Sequence, residues 1–325
     1  MKWRAGIGAP LALVLTVAPA VAQGDAKDFP SRPIRIVVPF PAGGPADIIA
    51  RVVAQRLSER WAQAVVVENR PGANTAIGAQ VVARAAPDGH TLLAGMDTTL
   101  VMNPLLAGNL PYDVKDFAPI TLLTRNMSLL VVRHDGPASV RELIDRAKAN
   151  PGKLNMGAGT ITSRLGALAF LKAAGLDVML IPYKGSAEIV QGLLSGSVDF
   201  ALDSTASSFP QIQSGKFRAL AKYAKRPLPG LPDLPNLADA ADLPSLGEST
   251  TWIGLLAPAD TSEAIVDKIQ REVAAIYADA AIMAKLQNAG LFAVSSTPEE
   301  FRAFIRQETE RWSRVIRDNP GIRAD

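Results

Sequence analysis

Five short stretches of the chain gather the residues best suited to holding a small molecule, and each follows an apolar run that reads as a strand. After Val37-Val38 come Phe40-Pro41-Ala42-Gly43-Gly44 and then Pro45-Ala46-Asp47. After Leu92-Leu93-Ala94 come Asp97-Thr98-Thr99. The run ending at Met156 is followed by Gly157-Ala158-Gly159-Thr160 and, a little further on, Ser163-Arg164. Pro182 is followed by Tyr183-Lys184-Gly185, and Leu202 by Asp203-Ser204. Donors dominate this set: backbone N–H groups, hydroxyls, Arg164 and Lys184. Helices starting after Gly44 and Gly159 would add the partial positive charge of their N-termini. Such a set suits carboxylates, with room for one at each end of a ligand.

Chemistry that would transform a ligand is poorly represented. The two histidines, His90 and His134, have no second ligand at metal spacing, so no metal and no cofactor is expected. His90 follows Pro87-Asp88-Gly89 and reads as an exposed loop histidine. There is no Walker lysine motif, no nucleophile elbow and no H-E-x-x-H helix. Gly157-Ala158-Gly159 lacks the third glycine of a dinucleotide fingerprint. A Ser–His–Asp arrangement assembled by the fold stays open as an alternative, which would make the chain a hydrolase. The chain has no cysteine, which excludes disulfides, thiolate metal sites and a lipid-modified leader junction.

The elements that must position these loops alternate regularly. Strands are expected at Ile34–Pro39, Ala64–Glu68, Thr91–Gly95, Leu129–Arg133, Leu154–Gly157, Val178–Pro182, Phe200–Asp203, Arg218–Tyr223 and Ile253–Ala257. Their Val, Ile and Leu content is mostly unbroken, as in parallel strands buried on both faces. Between them lie helical patterns: Ile49, Val52, Val53 and Leu57 share one face after Asp47. Ser139 to Glu142 and Thr297 to Glu300 have the form of capping boxes. The second opens a helix with Phe301, Phe304, Ile305, Trp312 and Val315 on one side. Strand and helix in steady alternation predict an α/β fold. In an open parallel sheet, ligands bind outside the carboxyl ends of the strands, where these five loops fall. Two stretches break the rhythm. Leu110–Arg125 reads as a long connection, and Arg226–Glu248, with five prolines, reads as a linker or a return between lobes.

The first 22 residues have the form of a cleavable export signal: Lys2 and Arg4, an apolar stretch from Ala9 to Ala20, then Ala20-Val21-Ala22. The stretch is too short to span a bilayer. Lys2 and Arg4 leave with it, so 32 of the 34 Lys+Arg face 31 Asp+Glu, a balance of +1 instead of +3. No basic face is implied, and nucleic acid is not expected as a partner. The expected location is the periplasm, and roughly 300 residues after the leader suggest two domains.

Longer stretches carry a family likeness. "FPSRPIRIVVPFPAGGPADIIARVVAQRL", "VVVENRPGANTAIGAQVVARAAPDGHTLL", "ANPGKLN", "IPYKGSAEIV", "GKFRALA" and "STPEEF" resemble the Bug, or TctC-like, family over nearly all of the chain after the leader. The resemblance implies a periplasmic solute-binding protein of a tripartite tricarboxylate transporter. It implies a type II periplasmic-binding-protein (Venus flytrap) architecture with a parallel-rich sheet in each lobe. Residues 28–124 with about 225–325 would form lobe 1, and 125–224 lobe 2. It further implies a small-molecule carboxylate in the cleft, a monomer, and membrane partners in the form of a large and a small permease subunit. A co-receptor role for a membrane sensor kinase is the alternative. The loop from Pro41 to Asp47 would hold one carboxylate, and Gly157 to Arg164 the ligand's other end.

Two departures from the family pattern matter. Arg164 stands where relatives commonly have a histidine, in a shorter loop. Pro45-Ala46 lacks the hydroxyl residue usual before Asp47. Arg164 either grips a distal carboxylate or sits exposed on a helix's first turn. Asp97 either accepts from a ligand donor or caps the next turn. Tyr183 either stacks on a ligand or packs against the hinge, and a ligand contact by Asp203 is equally open.

Overall fold

The computed structural model describes residues 27–318; the expected leader lies outside the described residues. The first half runs β1 (Ile34–Val38), α1 (Pro45–Trp61), β2 (Val65–Asn69), α2 (Ala76–Ala83) and β3 (Thr91–Met96). A π-helical turn then leads into the short α3 (Asn103–Leu106) and the long β4 (Phe117–Arg133). The second half runs α4 (Val140–Ala149), β5 (Asn155–Ala158), α5 (Ile161–Ala174), β6 (Met179–Pro182), α6 (Ser186–Ser195), β7 (Phe200–Ser204), α7 (Thr205–Gln213), β8 (Phe217–Lys222) and α8 (Leu237–Ala241). The chain closes with β9 (Thr250–Pro258), α9 (Glu263–Tyr277), α10 (Ala280–Asn288) and α11 (Pro298–Asp318).

The strand order is β2-β1-β3-β9-β4-β7-β5-β6, with β8 also paired to β4. Two parallel triplets, β2-β1-β3 and β7-β5-β6 with β7 on the inner side, flank an antiparallel pair. That pair, β4 with β9, runs from Phe117 opposite Pro258 to Met127 opposite Thr250. From Ser128 onward β4 leaves β9 and pairs with β7 and β8 instead. One strand therefore belongs to both sheets. The α/β two-lobed expectation holds, with the qualification that the joining strands are antiparallel.

Burial on both faces explains why the strands do not alternate in polarity. Ile34, Ile36 and Val38 pack on α1, α9 and α10, while Val37 and Leu93 face α2 and α11 across the sheet. In the second half Leu130 and Val132 face α4, α5 and α8, and Leu129 and Val131 face α6. The Thr297 box forms in both directions: Glu300 N–H donates to Thr297 Oγ1, and Thr297 N–H to Glu300 Oε2. At Ser139 only the forward bond forms, and Glu142 reaches Ala138 N–H instead.

Several expectations are corrected. The stretch Leu110–Arg125 is not all connection, because β4 starts at Phe117. Register shifts at Pro119/Thr121 and Leu122/Thr124 break its period of two, so Ile120 and Leu123 fall on one face and Phe117 and Leu122 on the other. Residues 225–249, assigned to lobe 1 from sequence, pack with the second half: Leu228, Leu231 and Leu234 join the α6 side, and Leu237, Ala238 and Leu246 the α4 side. The prolines wrap a surface there, and the crossing back is made by β9. His90 is buried, its ring 5.0 Å from that of Phe29, because the start of the chain folds over it. Val315 is exposed although Phe301, Ile305 and Trp312 are buried as expected.

Candidate functional site

The loop from β1 to α1 is locked by one carboxylate. Asp47, in the first turn of α1, accepts from Gly43 N–H (3.0 Å) and Arg51 Nε (3.0 Å) on Oδ2. Asn69 Nδ2 (2.9 Å) donates to Oδ1, which Arg51 also approaches at 2.8 Å. Asn69, at the end of β2, donates to Phe40 O as well. Burial pushes the Asp47 carboxyl up, but hydrogen bonds from Arg51, Gly43 and Asn69 outweigh it and hold the group below its ordinary range. Asp47 thus shapes the loop, and Gly43 supplies the positive φ of 83° that the turn requires. Asn69 of the E-N-R-P-G stretch was not singled out from sequence, although it ties two strand ends together.

Across the cleft, Thr160 caps α5 by accepting from Ser163 N–H, and Ser163 Oγ accepts from Gly159 N–H. Gly159 allows a close approach: a Cβ there would lie 3.2 Å from Ile189 Cδ1 and 3.3 Å from the Gly185 backbone. The turns before α5 and α6 are thereby pressed together. Ser204 caps α7, accepting from Ala206 N–H.

These turns surround a narrow inner cavity of about 50 Å³. Phe40, Pro41, Gly44 and Ala46 form its first-half wall. Thr160, Ser163, Gly185, Asp203 and Ser204 line it from the second half. Its floor is made by the joining strands, through Ser128 of β4 and Thr251 of β9. The N-termini of α1, α5, α6 and α7 all reach this space, where sequence had suggested two. Neither lysine nor arginine lines it. Sequence reasoning missed Ser128, Glu188 and Thr251, which the fold alone brings here.

A larger, more open pocket adjoins it and shares Phe40, Pro41, Thr160 and Glu188. Thr98, Gly159, Arg164, Tyr183 and Lys184 line this outer space, together with the turn from Pro71 to Thr75. Burial lowers the pKa of Arg164, which lies half-buried on α5. Tyr183 packs across Gly157 and Gly192, where added Cβ atoms would meet its ring and hydroxyl, and it also faces the pocket.

Of the residues picked from sequence, Ala42, Gly43, Asp47, Asp97, Thr99, Gly157 and Ala158 line neither space. Asp97 is fully buried and does not cap the following turn with its side chain. Its Oδ2 accepts from Thr162 Oγ1 of α5, a bond between the two halves, and Oδ1 has no hydrogen-bond partner. Burial pushes this carboxyl up to about 7. Asp203 is similarly buried and pushed up to about 6. Among the described residues no group of three or more His, Asp or Glu could hold a metal ion.

Comparison with known proteins gives a consistent result. A family model described as the tripartite tricarboxylate transporter family receptor matches residues 49–320. A UPF0065 protein from the tcbD-tcbE intergenic region of Pseudomonas sp. (strain P51) is 38% identical over 95% of this chain and 92% of its own length. A solved R. palustris protein with adipate superposes with a TM-score of 0.84 at 32% identity, covering 89% of this chain and 98% of its own. The periplasmic binding protein BugD gives 0.83 at 32%, covering 91% and 99%. MatC from Rhodopseudomonas palustris with bound malate gives 0.80 at 30%, covering 89% and 100%.

Proposed function

We propose that this chain, which belongs to the tripartite tricarboxylate transporter receptor family, captures a small carboxylate in its inner cavity and passes it to a membrane permease. The family consists of periplasmic solute-binding receptors, not enzymes. Adipate and malate in two similar structures support a carboxylate for this chain as well. The observation that carries the reading is the meeting of four helix N-termini in one enclosed space without a cation. Backbone dipoles there favour an anion, and fixed amides need no reorganisation to receive it.

Lobe 1 is then residues 27–124 with 250–318, and lobe 2 residues 125–249, joined by β4 and β9. The ligand binds one lobe and closure adds the contacts of the other. Closure is favoured only by the difference in ligand contacts between the two states. The permease, with a large and a small subunit, receives the closed form, and export places the protein in the periplasm.

A thermal-shift screen against aliphatic, aromatic and amino-acid carboxylates, with the matching amides as controls, tests this reading. A ligand at about 100 times its Kd adds about 2.7 kcal/mol, or several degrees for a domain of this size. A selective rise with a carboxylate and no turnover is expected. A rise with neutral compounds alone, or hydrolysis of the bound compound, would overturn the reading.

A further inference from the structure

Asp203 is out of place in a cavity for anions. It is the last residue but one of β7, is 1% exposed, and lines the inner space. Its Oδ2 accepts from Ser208 Oγ at 2.7 Å, while Oδ1 is buried and makes no direct hydrogen bond, although the Ser186 hydroxyl and the Ser204 N–H also act on the carboxylate. The other carboxylate on that wall, Glu188, caps its own helix by accepting from Lys184 N–H at 3.0 Å. No lysine or arginine lines the space to offset either charge. A ligand carboxylate therefore fits the α1 side of the cavity, and a second negative group beside Asp203 would be repelled.

We propose that Asp203 is a specificity residue, its Oδ1 accepting a hydrogen bond from an O–H or N–H group on the ligand. The solute is then a hydroxy- or amino-substituted carboxylate, not an unsubstituted chain. This rests on the reading of the inner cavity as a carboxylate site. A buried acceptor left without a donor loses the hydrogen bonds that water gave it, and a ligand donor restores one. An ammonium adds charge attraction in a space from which water is largely excluded.

The test is isothermal titration at about pH 7.5 with succinate, glutarate and adipate, each beside its 2-hydroxy and 2-amino form. Wild type, Asp203→Asn and Asp203→Leu are compared. At the chain length that fits, a substituted acid is expected to bind at least about tenfold tighter than its parent. That advantage shrinks in Asp203→Asn and vanishes in Asp203→Leu, while the parent binds both variants at least as tightly as wild type because a negative neighbour is gone; if the leucine variant does not fold, the asparagine variant decides. An advantage that survives both changes, or a parent acid that binds tightest, overturns the assignment. Silence from all nine acids, in a protein whose melting point another carboxylate raises, overturns the assignment and leaves the carboxylate reading intact. Silence from every carboxylate removes both.

Discussion

The inner cavity and the outer pocket share Phe40, Pro41, Thr160 and Glu188, yet they attract anions by different means. Inside, the positive potential comes from helix ends and the only charged side chains are acidic. Outside, Arg164 and Lys184 supply formal charge in a wider and wetter space. The difference teaches that affinity and reach can be set separately. Fixed dipoles in a narrow space are little screened by salt, whereas a half-buried arginine is screened more. One end of a ligand is thus held by the backbone, and the other is open to adjustment through side chains.

The largest effect should come from closing the inner space. Ala187, at the start of α6, lines it and is only partly buried, so Ala187→Trp should fill the cavity without opening the core. Calorimetry should show carboxylate binding abolished, with the melting temperature of the free protein little changed. Retained binding would move the ligand to the outer pocket.

Asp47→Ala comes next. It removes acceptors used by Gly43, Arg51 and Asn69 and should cost about 2 kcal/mol of stability by denaturant titration. Binding should weaken with it, because the α1 turn loses its shape. Unchanged binding would mean that the turn takes no part in holding the ligand.

Arg164→Ala should weaken a diacid by at least about 1.5 kcal/mol, roughly tenfold, and leave a monoacid unchanged. The loss should shrink as salt is raised. Equal affinities in wild type and variant would confine all anion recognition to the inner cavity.

The smallest effect concerns Asp97, which bridges the two halves through Thr162. Its carboxyl is raised to about 7 by burial, so the folded state binds a proton more tightly than the unfolded chain. The stability tied to that proton is complete below the ordinary carboxylate range and is lost as pH rises through about 7. Asp97→Asn should therefore raise the melting temperature more at about pH 8 than at about pH 5, by a few degrees at most. An equal change at both values would mean that Asp97 is not protonated in the folded protein.

Local signals in the sequence were strong enough to place all nine strands of the described residues and several of the loops that line the two pockets. Unbroken Val and Ile runs marked buried strands, and Thr297 marked the start of α11. What the sequence concealed depends on long-range packing. The first part of β4 was hidden because two bulges scramble its alternation. The packing of residues 225–249 on the second half was hidden because a proline-rich stretch resembles a linker whichever lobe it covers. Ser128 and Thr251 lie inside the joining strands with no loop composition to mark them, so only the pairing of β4 with β9 makes them a floor. Asp47 looked like a ligand contact because it follows two glycines, whereas its oxygens are engaged by the loop itself. The separation of the two pockets could not be read from spacing, since Ser163 and Arg164 are neighbours on one helix and yet line different spaces.

The most direct test is a crystal structure of the protein with the carboxylate that raises its melting temperature most. The account predicts one carboxylate in the inner cavity, its oxygens within about 3 Å of backbone N–H groups in the first turn of α1, with no lysine or arginine touching it. A carboxylate held instead by Arg164 and Lys184, with the inner cavity empty or filled by hydrocarbon, would contradict the account.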